Sequence, residues 1–70
     1  MGWASGSDVM SAVIYGLNKK IDDEEIRKIV YRILIDALED QDWDTQEDNF
    51  GEDVAYDEAL REAHPTWDLA

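Results

Sequence analysis

The residues of this chain that could do chemistry are nearly all carboxylates. Asp40, Asp42 and Asp44 alternate like the first ligands of a calcium loop. Such a loop needs a sharply turning Gly at its sixth place and a bidentate Glu at its twelfth. Counted from Asp40, those places hold Thr45 and Gly51, so solvated acid is the better reading of the three than a calcium site. His64 is the sole histidine and there is no Cys, which rules out thiolate sites and leaves no second soft ligand for a transition metal. Ser5, Ser7 and Ser11 have no evident base beside them, as a serine nucleophile requires. No glycine loop could cradle a phosphate. A carboxyl acid catalyst needs desolvation to raise its pKa, and a chain of 70 residues has little room for the cleft. The expectation is a protein without cofactor and without catalytic residues.

Charge is distributed one-sidedly. Residues 1–35 carry five acids and five bases, whereas residues 36–70 carry thirteen acids and one base, Arg61, which accounts for the whole net charge of −12. Such a surface repels phosphate backbones and anionic lipid, so neither direct nucleic-acid binding nor membrane binding is expected. It attracts a basic protein surface, including one that ordinarily holds nucleic acid. A merely solubilising role is the plain alternative. The longest apolar stretch, Ile29 to Ile35, is broken by Arg32 and falls far short of the ~20 residues of a spanning helix.

Helices must position these groups. Ser5 or Ser7 can cap a first helix, with Asp8 in its first turn and Lys19 and Lys20 at its end, as the dipole prefers. Val9, Ala12, Val13, Gly16 and Leu17 follow one helical stripe, and a close helix approach would explain Gly16. Asp22 reads as the cap of the central helix, with Glu25 completing a capping box and Ile21 stapled on Ile26. Ile26, Ile29, Val30, Ile33, Leu34, Ala37 and Leu38 form its main stripe, and Tyr31 and Ile35 widen it. So wide an apolar face requires cover on two sides, from other helices or from a second subunit. A short helical turn follows, capped by Asp44 or Thr45 and ended by Gly51, with Trp43 and Phe50 pinning it to the core. A last helix runs from about Asp53 to Ala63, with Val54 or Ala55, Ala59, Leu60 and Ala63 inward, and Pro65 stops it. The expected fold is all-α: a single domain over residues 1–70, a compact three-helix bundle with a short extra helical turn between the second and third main helices. Residues 1–6 and 66–70 are expected to be loosely ordered.

The opening Gly2-Trp3-Ala4-Ser5-Gly6-Ser7, the central Asp42-Trp43-Asp44-Thr45 and the closing His64-Pro65-Thr66-Trp67 resemble small acidic proteins of tailed phages and prophages. Members of that group tend to have Cys near Asn49, and this chain has none. The resemblance implies a phage accessory protein acting in the bacterial cytoplasm, and it transfers no site residues.

One feature breaks a local rule. Asp36, Glu39, Asp40 and Asp42 crowd the negative end of the central helix, where an acid costs ~0.3–1 kcal/mol. Asp36 and Asp40 are also a like-charge pair one turn apart. Uncompensated rule-breaking is where function is expected. The candidate partner-binding residues are therefore Asp36, Glu39, Asp40, Asp42, Asp44, Glu47, Asp48, Glu52 and Asp53, with Trp67 as an aromatic anchor. Their expected partner is a basic protein surface, by imitation of nucleic acid or as an inhibitor of host defence. The alternative is a homodimer through the apolar face of the central helix.

Overall fold

A computed structural model describes residues 5–69; residues 1–4, Trp3 among them, and Ala70 lie outside them. Three α-helices, α1 (Gly6–Lys20), α2 (Glu24–Glu39) and α3 (Val54–Ala63), and one 3-10 turn (Gln46–Asn49) make up the regular structure. This is the all-α bundle with one extra turn that the hydrophobic periods predict. α2 and α3 form the most extensively packed pair, and α1 rests on both the 3-10 turn and α2. The core is Met10 and Ile14 of α1, Tyr31 and Ile35 of α2, Trp43, and Ala55, Tyr56, Ala59 and Leu60 of α3. No helix among the described residues is long and apolar enough to cross a membrane.

The faces that turn inward differ from those the apolar periods favour. On α2 the buried line is Arg27, Tyr31 and Ile35, while Ile26, Ile29 and Ile33 face solvent. The cause is polar. Arg27 Nε and Nη2 donate to the Asp53 carboxylate at 3.0 and 3.3 Å, and Tyr31 Oη donates to it at 2.7 Å. Asp53 in turn accepts from the Ala55 N–H at 3.0 Å and so caps α3. Burial alone would push the Asp53 carboxyl up, but these three donors and the Arg27 charge hold it below the ordinary aspartate range. Burial and the same carboxylate push the Tyr31 hydroxyl up. A cation inside an apolar stripe therefore fixes the rotation of the central helix.

The same arginine moves the start of α2. Its Nη1 donates to the carbonyls of Ile21 and Asp22 at 2.8 and 3.0 Å, which ties the α1–α2 link down. The cap is Asp23, which accepts from Glu25 and Ile26 N–H, and the box on Asp22 does not form; Ile26 is 47% exposed. On α1, Met10 and Ile14 are buried, Val13 and Leu17 pack at the core edge, and Val9 and Ala12 are exposed. Gly16 faces open space, so no close helix approach accounts for it. The close approach lies at Gly6, against Trp43. On α3, Ala55, Tyr56, Ala59 and Leu60 are buried and Val54 is exposed.

Candidate protein-binding surface

The acidic segment starts where α2 ends. Trp43 N donates to Leu38 O, and Asp42 N donates to Glu39 O, which is the pair of bonds of a Schellman cap. Such a cap needs its next-to-last residue in the left-handed region, and Asp42 sits there with φ 66°. Trp43 then enters the core at 2% exposure and seals the cap against Leu38. Glycine or asparagine ordinarily fills the left-handed place. An aspartate there carries a backbone cost and puts a negative charge at the negative helix end. Asp42→Gly is expected to stabilise the fold by about 1 kcal/mol, raising Tm by about 5 °C in a thermal melt.

Beyond the cap, a period of three separates inside from outside. Trp43, Gln46 and Asn49 are buried, as one side of a 3-10 turn with three residues per turn places them. Asp44, Glu47 and Asp48 occupy the places between and are exposed, as are Asp40, Asp42 and Glu52. None of these six carboxylates has an ion pair among the described residues.

A polar frame holds the turn rigid. Trp43 Nε1 donates to Ser7 Oγ at 3.1 Å, and Ser7 Oγ donates to Thr45 O at 2.9 Å. Asn49 Nδ2 donates to Ser7 O, Ser11 Oγ and Glu52. Gln46 Nε2 donates to Trp43 O and to Glu39, while Tyr56 Oη, buried in α3, donates to Gln46 O at 2.7 Å. Burial pushes the Tyr56 hydroxyl up, and the surrounding carboxylates add to it. Thr45 precedes the turn as its cap residue but spends its hydroxyl on Ser7 rather than on the turn. Gly51 leaves the segment at φ 94°, as its position predicts.

Four candidate residues stand apart from this arc. Asp53 is not at the surface: it is 6% exposed and committed to Arg27 and Tyr31. Glu39 is half-buried, accepting from Gln46 and pairing with His64. Asp36 lies 3.8 Å from Arg32 on the outer edge of α2. Trp67 keeps 39% exposure with its ring stacked on His64 at 3.7 Å, so it flanks the Glu39 end of the arc. His64 thus has a packing role and ends α3 ahead of Pro65. Asp40, Asp42 and Asp44 do not converge: no three acidic or histidine side chains among the described residues come together as metal ligands.

Sequence reasoning missed the frame residues Ser7, Gln46 and Asn49 and the anchoring cation Arg27. Only Arg27 left a signal, since it precedes Tyr31 and Ile35 at one-turn intervals. Comparison with protein-family models, with curated proteins and with solved structures returns no match for this chain.

Proposed function

We propose that this chain is a non-enzymatic binding module that docks its acidic arc on a basic protein surface. The observation that carries this reading is the set Asp40, Asp42, Asp44, Glu47, Asp48 and Glu52. All six are exposed and have no ion pair among the described residues, and they sit on a segment in which every third residue from Trp43 to Asn49 is buried. Unpaired like charges on a rigid support add to one field, which steers a cationic partner and raises its association rate. Preordering also spares the entropy that a flexible acidic tail would lose on docking. A surface that ordinarily holds nucleic acid presents the required array of Lys and Arg, so competition with nucleic acid for that surface is the consequence. With the phage-like motifs, this supports an accessory protein that acts in the bacterial cytoplasm and obstructs a host enzyme or defence complex.

The test is affinity capture of basic proteins from bacterial lysate at low salt, with a variant carrying Asp40→Lys, Asp42→Lys and Asp44→Lys beside the native chain. Capture by the native chain that fades as salt rises and is lost in the variant is expected. Equal capture by both would sink the proposal.

A further inference from the structure

Ser11, Ile14, Tyr15, Asn18 and Lys19 recur at three- and four-residue steps along one face of α1, a strip about 12 Å long. With Glu52, from the loop before α3, they line an open cavity of about 490 Å³, a size usual for small-molecule sites. Ile14 contributes buried aliphatic surface to it, and Tyr15 a ring that is 66% exposed. Two opposite charges line this cavity without meeting. Glu52 Oε2 accepts from Ser11 Oγ at 2.9 Å and from Asn49 Nδ2 at 3.2 Å, which fixes the carboxylate at the Ser11 end. At the other end, Lys19 Nζ lies 4.3 Å from the centroid of the Tyr15 ring. Both side chains are exposed, and neither has an ion pair among the described residues.

We propose that this groove binds a short peptide with free termini, its ammonium on Glu52, its carboxylate on Lys19 and an apolar side chain against Ile14 and Tyr15. Charge complementarity selects that occupant. A ligand with cations alone would set a like charge against Lys19, and one with anions alone would meet Glu52 and the acidic arc beyond it. A zwitterion satisfies both ends at once. Its zero net charge also spares it the repulsion that a chain of net charge −12 sets against anions. A single amino acid holds its two charges too close together to reach both ends. Two or three residues, at up to ~3.5 Å each, span the gap of one to two helical turns. The carboxylate of Glu52 is already oriented by its two donors, so binding costs little ordering at that end. Glu52 belongs also to the acidic arc, but this ligand requires no protein partner and does not depend on the docking reading.

Amide-detected NMR titration of the full chain with alanyl-leucyl-alanine tests this, beside the same tripeptide N-acetylated or C-amidated. Saturable shifts along residues 11–19 and around Glu52 are expected, with a Kd on the order of a millimolar. Each blocked terminus should weaken binding about fivefold, as the loss of one exposed charge pair allows. Glu52→Gln keeps an oxygen for Ser11; it should erase the penalty of N-acetylation and leave that of amidation. Lys19→Met should do the reverse. Absence of saturation, shifts confined to other residues, blocked peptides that bind as well as the free one, or penalties that survive both substitutions would each overturn the proposal.

Discussion

Asp53→Ala is expected to cost about 4 kcal/mol, the largest single-site loss in the molecule. Removing one partner of a buried ion pair costs ~3–5 kcal/mol because the other charge stays buried and unpaired, and the loss of the α3 cap adds to it. A domain of this size has a total stability of only about 3–10 kcal/mol. The variant should therefore be largely unfolded at room temperature, or melt far below the native chain, by far-ultraviolet circular dichroism. Asp53→Asn keeps a capping oxygen and should fall between the two. The same carboxylate sets the acid limb of stability. Its folded pKa lies below the ordinary aspartate value, so its contribution is complete above that value, about 4, and is lost as pH falls through the folded pKa. Stability should thus hold level from pH 7 toward ~4.5 and fall below about 3.5, and Asp53→Asn should flatten the fall.

The second large effect is a contrast between two glycines of one helix. A Cβ on Gly6 would stand 2.5 Å from Trp43 Cδ1 and 2.9 Å from Cγ. The indole cannot retreat, because it is 2% exposed and its Nε1 is bonded to Ser7. Gly6→Ala should therefore cost about 2 kcal/mol through overpacking, lowering Tm by about 10 °C. At Gly16 a Cβ meets nothing within 4 Å, and Gly16→Ala should stabilise α1 by roughly 1 kcal/mol. Thermal melts of the two variants should move in opposite directions. If both fell, the packing of Trp43 against the first turn of α1 would be wrong.

These predictions show which parts of the fold could be read from residues alone. Helix number, the extra turn, Trp43 in the core and the positive φ of Gly51 follow from local chemistry that tertiary context seldom overrides. The rotation of α2 was not legible, because aliphatic periodicity treats Ile29 and Tyr31 alike and ignores a cation. Arg27 finds its partner 26 residues away in sequence, and nothing near either residue announces the other. The candidate site divided for a similar reason. Asp40, Asp42, Asp44, Glu47, Asp48 and Glu52 stay outside because their neighbours at Trp43, Gln46 and Asn49 are drawn in. Asp53, in the same acidic run, is instead the residue on which the fold closes.

Under the proposed reading, the position of the acids, beyond net charge, makes the arc a docking surface. The most direct measurement compares two triple reversals of equal charge against one captured basic partner, titrated by calorimetry over a salt series. One variant carries Asp40→Lys, Asp42→Lys and Asp44→Lys. The other reverses Asp22, Glu24 and Asp68, which are equally exposed but lie off the arc. The arc variant is expected to lose at least about a hundredfold in affinity together with most of the salt dependence, while the second variant keeps the bulk of both. Equal losses in the two would contradict it and reduce the acidic arc to a solubilising surface.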